Sequence, residues 1–283
     1  KMLPSLLTSQ LKLTVMMNGI YVPFRQALEN FGRFCRPLSL YNDGTVFELS
    51  IPGSAFLARI QGHNLLMATR HQLGKGADKR SPSEVVIVLD ELDQRVALTG
   101  NESFLASDRS GGIPREQDLL LLRFEDVRNG RDLRPNFLQL QYDQILDATE
   151  LPPGSKALIH AIVGFPSRFT EYDALWDEEA MATSQLSITS RWSKLFLVPA
   201  ARTAWDDDEL TPYVLPPNTQ LDIGDPDGFS GSPLVMLYQD ASHQTHLGLA
   251  GVVVKASQVG RFNVYGPPRL RAAIEGLRNP NQT

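Results

Sequence analysis

Three side chains that together could carry out acyl transfer occur along the chain in the order histidine, aspartate, serine: His71, Asp118 and Ser230. A serine hydroxyl becomes a useful nucleophile when a neighbouring histidine accepts its proton, and a carboxylate can orient that imidazole and stabilise its charged form. Histidine suits the task because its unperturbed pKa of about 6.5 is close to neutral pH. The three residue types therefore suggest a hydrolase, provided that the local setting of each residue fits its role.

The setting of Ser230 favours an exposed nucleophile. The surrounding segment, residues 225–235, reads DPDGFSGSPLV, so that glycines stand at positions 228 and 231. Glycines on both sides permit a tight turn whose backbone N–H groups converge on one point. Such donors are what the oxyanion of an acyl-transfer reaction needs. Taken alone, the letters GFSG are equally typical of an ordinary turn.

The settings of His71 and Asp118 suggest a pair at the rim of a buried sheet. His71 comes directly after the segment LLMATR (residues 65–70), which places its imidazole just past a strand end. Asp118 directly precedes four leucines, and a carboxylate that adjoins a buried strand costs free energy unless a partner compensates it. An aspartate in a turn before a strand is the plainer interpretation, whereas a histidine partner would explain the position better.

The remaining histidines are less informative. His160 lies in an apolar run and is predicted to be a strand residue in the second half of the chain. His243 and His246 have the spacing His-x-x-His, but they lie in a polar hairpin and have no acidic or cysteine partner on a helix. No metal site is therefore predicted there.

Short apolar runs separated by turn residues predict an all-β sandwich or a pair of barrels from about residue 44 onward. Before that point, residues 6–34 have the loose apolar spacing of a helix, and residues 1–43 are predicted to form an N-terminal helical extension. The sequence LPPG at residues 151–154 is the best internal boundary, because two prolines and a glycine cannot continue a central strand. It divides the β region into residues 44–150 and residues 151–283, and Pro267–Gly276 is predicted to be a closing helix.

Composition narrows the class of function. The 283 residues include 27 Lys+Arg and 32 Asp+Glu, for a formal net charge of -5, which argues against a general nucleic-acid binder with a basic face. No window approaches the roughly 20 apolar residues of a membrane span. Cys35 is the single cysteine, so no internal disulfide can form. This fits a reducing compartment, and a cytoplasmic location is expected, with a removed secretory signal left open.

Taken in this order, the three segments resemble the chymotrypsin/trypsin-like serine peptidase family of the PA clan, over about residues 44–278. Residues 53–56 (GSAF) and 68–71 (ATRH) are similar to the family's Gly-Ser-Gly-Phe strand and Thr-Ala-Ala-His segment, and residues 118–122 (DLLLL) to its Asp-Ile-Ala-Leu-Leu. Residues 228–235 (GFSGSPLV) are similar to Gly-Asp-Ser-Gly-Gly-Pro-Leu-Val, and closer still to bacterial variants that end in Ser-Gly-Ser-Pro. Residues 249–254 (LAGVVV) resemble the strand that lines the substrate cleft.

The resemblance implies two packed antiparallel six-stranded β-barrels, with His71 and Asp118 in the first and Ser230 in the second. It implies that Ser230 is the nucleophile, His71 the general base and then the general acid, and Asp118 the residue that orients the imidazole. The backbone N–H groups of Gly228 and Ser230 would form the oxyanion hole. No cofactor or metal is implied, and the expected substrate is a polypeptide.

The substrate pocket is implied to include Gly224, Asp225, Asp227, Val254 and Lys255. Asp225 or Asp227 would favour basic side chains in the substrate, whereas Gly224 occupies the usual position of the pocket floor. Val254 and Lys255 stand where the family's cleft strand usually carries Ser and Trp. Contacts with the substrate backbone are therefore expected to differ from those of the family.

Further departures from the family pattern bear on regulation. Phe229 stands where trypsin has the aspartate that binds a newly cleaved N-terminus, so activation by that route is not expected. Arg70 and Gln72 flank the histidine in place of a small residue and a cysteine, which is consistent with a site that has no disulfide. The N-terminal extension and an enlarged loop region at residues 170–217 are the candidates for binding a regulatory protein partner.

Two alternatives to a serine endopeptidase stay open from the sequence. A catalytically silent trypsin-like module used for binding would keep the same residues without the activity. An α/β-hydrolase esterase is disfavoured, because its nucleophile elbow needs Gly-x-Ser-x-Gly in a chain with βαβ rhythm, and Ser232 fills the last glycine position.

Overall fold

The computed structural model describes residues 13–42, 49–74, 81–91, 94–108, 115–177, 182–204, 206–219 and 225–277. This part of the chain is mostly β-structure in two units, an eight-stranded sheet followed by a closed six-stranded barrel. The predicted all-β class is thereby confirmed, and the plan is that of a chymotrypsin-like fold with a half-barrel in front of a complete barrel. Because the described residues show no alternation of strands and helices, the fold excludes the α/β-hydrolase alternative.

The first unit contains the strands β3 (Cys35–Tyr41), β4 (Leu49–Ile60), β5 (His63–Ala68), β6 (Val85–Glu91), β7 (Gln94–Thr99), β8 (Glu102–Asp108), β9 (Arg115–Phe124) and β12 (Leu138–Leu140). They follow the order β7-β6-β3-β4-β5-β9-β8 with antiparallel neighbours, and β12 pairs with β4 in parallel. A small hairpin of β10 (Val127–Arg128) and β11 (Arg131–Asp132) lies between β9 and β12.

The second unit is a barrel that closes in the order β13-β16-β17-β20-β19-β18. Its strands are β13 (Lys156–Gly164), β16 (Ser193–Pro199), β17 (Thr211–Val214), β18 (Pro233–Gln239), β19 (Thr245–Ala256) and β20 (Arg261–Tyr265). A separate two-stranded hairpin, β14 (Thr170–Asp177) with β15 (Ala182–Ser190), leaves the barrel between β13 and β16. The strands of the two units fall on either side of the predicted boundary at residues 151–154.

Two of the apolar runs of the sequence form strands that are buried on both faces. In β9, Leu120 and Leu122 face the interior of the first sheet, whereas Leu119 and Leu121 face a core that both units share. In β19, Val253 likewise packs inside the barrel, while its neighbours on either side join the shared core. Side chains alternate between the two faces of a strand, so a strand with apolar layers on both faces needs an uninterrupted apolar run. The shared layer holds the two units together.

The prediction of a helical N-terminal extension was wrong for the part that the structure describes. β1 (Thr14–Met17) and β2 (Ile20–Pro23) form an antiparallel hairpin, and the α-helix α1 is limited to Ala27–Phe31. The hairpin turn is Asn18–Gly19, with φ of 47° and 77°. Asn-Gly is the dipeptide that two-residue hairpin loops favour. This turn signal outweighs the loose apolar spacing. Strand β3 also begins within residues 1–43 and belongs to the first sheet, while residues 1–12 lie outside the described part.

The C-terminal helix was predicted correctly as α2, Pro267–Gly276. Two prolines begin it, and Leu270, Ile274 and the following Leu277 are buried in the shared core. Within the described residues, no helix is both long and apolar enough to cross a membrane.

His160 lies in β13, as the sequence predicted, and its side chain is buried. Its ring packs against Tyr213, with 5.6 Å between the ring centroids, and Nε2 has no hydrogen-bond partner among the described residues. Burial lowers the pKa of His160 below its ordinary 6.5, and the nearby Asp147 opposes this only in part. The folded barrel therefore holds this imidazole in its neutral form.

We expect this histidine to make the barrel less stable in mild acid. As the pH falls through about 6.5, the unfolded chain takes up a proton at His160 before the folded chain does, so the free energy of unfolding decreases. His160→Phe removes this difference and should lose less stability than the wild type between about pH 7.5 and pH 5.5. Denaturant unfolding at both pH values measures the loss.

His243→Asn is the matched control for that experiment. His243 is exposed, and its φ of 65° is a conformation that asparagine tolerates. This variant should lose as much stability as the wild type over the same pH interval. If His160→Phe and the wild type lose the same amount of stability, His160 is not the cause of the loss in mild acid.

Candidate active site

His71 lies in a short 3-10 turn, Arg70–Leu73, that directly follows strand β5. The turn is closed by a buried amide, because Gln72 Oε1 accepts hydrogen bonds from Thr69 N at 2.8 Å and from Thr69 Oγ1 at 2.9 Å. The side chain of His71 is 48% exposed. The imidazole therefore stands at the rim of the sheet, as the sequence predicted, on a turn whose conformation is determined by its neighbours.

The structure brings Asp118 into direct contact with His71. Strand β9 pairs with β5 so that Leu120 lies opposite Ala68, which places Asp118 beside the turn that follows β5. Asp118 Oδ2 lies 2.5 Å from His71 Nδ1, and Asp118 Oδ1 accepts a hydrogen bond from the backbone N–H of His71 at 2.7 Å. The carboxylate thus holds both the ring and the backbone of the histidine. His71 is therefore the histidine partner that explains the position of Asp118.

A residue that the sequence did not single out, Tyr265, supports Asp118 from the barrel. The backbone N–H of Asp118 donates to Tyr265 Oη at 2.9 Å. Tyr265 is the last residue of β20, and its burial raises the pKa of the phenol, which keeps it a neutral hydroxyl.

Ser230 lies in the turn before β18 and is half-buried. Its Oγ donates to the carbonyl of Val254 at 3.2 Å, and within the described residues no hydrogen bond joins it to His71. Its own carbonyl accepts from Ser54 N at 3.0 Å and from Gln72 Nε2 at 2.9 Å. Because Gln72 directly follows His71, the serine turn and the histidine turn are in contact through this amide.

The turn around Ser230 needs glycine at two positions. Gly228 has φ of +91°, and a Cβ there would lie 2.5 Å from Phe165 O and from Ser167 N. Gly231 has φ of +82°, and a Cβ there would overlap Ser54 O. Only glycine adopts such a backbone without strain and leaves room for so close an approach. The glycines therefore serve the turn conformation that the sequence predicted.

The backbone N–H groups of Gly228 and Ser230 have no acceptor among the described residues. The carbonyl of Asp227 accepts from Ser167 N at 2.9 Å, and in a trans peptide the following N–H, that of Gly228, points the opposite way. In the same manner, the carbonyl of Phe229 accepts from Ser232 N at 2.9 Å and turns the N–H of Ser230 outward. Within the described residues, the N–H of Ser230 itself and the N–H of Gly228 are thus both unpaired donors.

The predicted pocket residues are in different environments. Val254 is 2% exposed and its side chain lies in the shared core, so only its carbonyl faces the serine. Lys255, Asp225 and Asp227 are exposed, and Asp225 Oδ1 accepts from the backbone N–H of Asp227 at 3.1 Å. Gly224 lies outside the described residues. Among those described, no group of histidine, cysteine and acidic side chains could hold a metal ion.

Sequence reasoning did not find Ser54, Gln72 or Tyr265. Each is a polar residue in a buried stretch, and buried polar groups almost always have hydrogen-bond partners. That rule was the available signal, since Ser54 stands within one of the segments already quoted and Gln72 directly follows another. The contacts of these residues with the other unit could not be read from the sequence, because they depend on how the two units pack.

The first unit is a half-barrel that contributes a histidine–aspartate pair, and the second is a closed barrel that contributes a serine turn. Together they define a chymotrypsin-like double-barrel fold. No family model matches the sequence, and no curated protein matches it. Among solved structures, the chain is similar to human heparin binding protein, with 16% identity over 88% of this chain and 92% of that chain and a TM-score of 0.47.

Proposed function

We propose that the protein is a serine endopeptidase that hydrolyses polypeptides through an acyl-enzyme intermediate. One observation carries the proposal: the carboxylate of Asp118 binds both the ring and the backbone of His71, on a turn that contacts the carbonyl of Ser230 through Gln72. A general base held in this way beside a serine with two unpaired backbone donors has the components of acyl-transfer catalysis.

In the proposed mechanism, Asp118 keeps the proton of the imidazole on Nδ1, so that Nε2 is free to accept. The hydroxyl of Ser230 turns about its Cα–Cβ bond from Val254 O toward His71 and attacks the scissile carbonyl as Nε2 takes its proton. The N–H groups of Gly228 and Ser230 donate to the oxyanion that forms. His71 then gives the proton to the leaving amine, and a water molecule, activated in the same way, hydrolyses the ester and restores Ser230.

The environment of the cleft strand bears on the proposed specificity. Lys255 is exposed next to Val254, whose carbonyl faces the serine, and the carboxylate of Asp225 is engaged within its own loop. A basic preference would therefore depend on Asp227 more than on Asp225. A fluorogenic peptide library measures this preference, and equal cleavage after Lys/Arg and after Ala/Val would contradict it.

Covalent labelling of the purified chain with a fluorophosphonate probe tests the proposed function. We expect labelling of the wild type and none of Ser230→Ala, because the probe reacts only with an activated serine. Ser232→Ala is the matched control, since Ser232 lies two residues away, is fully buried, and has an Oγ without a partner among the described residues. This control should label as the wild type does.

A catalytically silent binding module is the second candidate function. The observation that favours it is the hydrogen bond of Ser230 Oγ to Val254 O, with none to His71 among the described residues. A folded wild type that the probe does not label would support this candidate and overturn the peptidase. Labelling that persists in Ser230→Ala would place the reactive group elsewhere. The regulatory role proposed for the N-terminal segment and for residues 170–217 applies to either candidate.

A further inference from the structure

We propose that Ser54 and Gln72 are positioning residues that hold the nucleophile turn, residues 228–231, in the conformation that exposes the two N–H donors. We call these two residues the cross-barrel clamp, because both belong to the first unit and both bind the turn of the second. The inference deepens the proposed function and rests on it.

Gln72 uses its entire side-chain amide in this arrangement. Its Nε2 donates to Ser230 O at 2.9 Å and to Ser54 O at 3.1 Å, while Oε1 accepts from the backbone and the hydroxyl of Thr69. A primary amide has two donors and two acceptor positions, and all four are occupied. The orientation is unambiguous, because two carbonyls can only accept and the Thr69 N–H can only donate. The side chain is 4% exposed, so water cannot replace these partners.

Ser54 binds the turn at its other end. Its Oγ donates to Gly228 O at 2.7 Å and accepts from Phe165 N at 2.8 Å, and its backbone N–H donates to Ser230 O at 3.0 Å. Ser54 is fully buried. The hydroxyl proton can point only to Gly228 O, because Phe165 N is itself a donor. One residue of β4 therefore contacts both the end of β13 and the nucleophile turn.

The close approach of the clamp to the turn depends on three glycines. A Cβ at Gly53 would collide with Gln72 Nε2, and a Cβ at Gly231 would overlap Ser54 O. A Cβ at Gly164 would lie 2.7 Å from Ser54 Oγ. Backbones that pass this closely leave no room for an alternative packing of the two side chains. The contacts of the clamp are therefore specific.

The clamp donates three hydrogen bonds to the carbonyls of the turn, one to Gly228 O and two to Ser230 O. Among the described residues, the carbonyls of residues 227 and 229 accept from Ser167 N and Ser232 N, whereas the carbonyls of residues 228 and 230 accept only from Ser54 and Gln72. Without the clamp, the peptide planes that follow Gly228 and Ser230 would keep the hydrogen bonds of their N–H groups, from Phe229 N to Pro226 O at 3.3 Å and from Gly231 N to Val253 O at 2.9 Å, but their carbonyls would be held less firmly. The oxyanion donors lie in the adjoining peptide planes, so their direction and the distance from Ser230 to the histidine turn would then vary more. The clamp thus couples the base of one unit to the nucleophile of the other.

Ser54→Ala and Gln72→Met test this inference in the full-length chain. With a fluorogenic peptide, we expect kcat to fall by about 10- to 100-fold in each variant, somewhat less than the loss of a whole oxyanion donor, with KM changed by no more than about threefold. Titration of active sites with the phosphonate probe corrects each rate for the folded, reactive fraction. Ser232→Ala, directly after the same turn and with no hydrogen bond from its Oγ to a described residue, should keep the wild-type kcat.

Hydrogen exchange at the amides of residues 228–232 gives a readout that does not depend on catalysis. We expect faster exchange in this turn for Ser54→Ala and Gln72→Met, while β18 and β19 keep the protection of the wild type. A kcat within twofold of the wild type in a folded variant, or unchanged exchange in the turn, would overturn the clamp as a positioning device. If the wild type neither turns over nor labels, the peptidase proposal fails, and the exchange experiment still decides whether the clamp holds the turn.

Discussion

His71→Ala is expected to lower kcat for peptide hydrolysis by about a millionfold, which is the loss known for a serine-protease triad without its histidine. The reason is that the proposed mechanism has no other base to accept the proton of Ser230. The imidazole is contacted by Asp118 at 2.5 Å, and the His71 side chain is 48% exposed. The variant should fold, because substitutions of exposed side chains usually change stability little. Turnover of a fluorogenic peptide measures the effect.

The chain offers a matched control in a second histidine–aspartate pair. His246 Nε2 lies 2.8 Å from Asp240 Oδ2, and the His246 ring stacks on Tyr238 with 5.2 Å between the centroids. This pair lies at the far hairpin of the barrel, away from the serine turn. His246→Ala should keep the wild-type kcat. A comparable loss in both variants would show that the effect on turnover comes from damage to the fold rather than from a missing base.

Asp118→Asn is expected to keep the fold and to lower kcat by roughly 10⁴-fold, a magnitude taken from the chymotrypsin-type triad. The amide oxygen of asparagine can still accept from the His71 backbone N–H, as Asp118 Oδ1 does at 2.7 Å. The amide nitrogen, however, would donate to Nδ1, so the imidazole would carry its proton on Nε2. An imidazole in that tautomer cannot take the proton of the serine.

Asp240→Asn is the control for this second prediction, because it changes the carboxylate of the surface pair in the same way. Kinetics and thermal unfolding of both variants, measured side by side, separate a tautomer effect from a loss of stability. We expect Asp118→Asn to unfold within a few degrees of the wild type. A turnover reduced by less than tenfold in Asp118→Asn would remove this residue from the proposed triad.

Much of the fold could be predicted because burial leaves a pattern in the sequence. The four leucines after Asp118 and the valines at positions 252–254 are apolar without interruption, and each run forms a strand between two apolar layers. The N-terminal region was mispredicted for the opposite reason. Its short, half-exposed strands have few buried positions, so their apolar spacing fits a helix as well as a hairpin, and only the dipeptide Asn18–Gly19 distinguishes the two.

For the site, the sequence by itself determined which residue types are present and on which turns they stand. His71 follows a strand, Asp118 lies within one directly before its four leucines, and the glycines at 228 and 231 permit the turn that carries Ser230. These are local properties. They depend on neighbours a few residues away, so short segments of the sequence are enough to predict them.

Only the tertiary structure decided how these turns meet. The contacts of Ser54 with Gly228 and of Gln72 with Ser230 join residues separated by 174 and 158 positions, and Tyr265 reaches Asp118 across the same interface. A hydrogen bond of this kind requires a donor atom and an acceptor atom to come within about 3 Å of each other. That distance is set by the packing of one unit on the other. The physical reason is that apolar burial drives the two units together but is not directional, whereas the polar contacts at their interface hold only in one geometry.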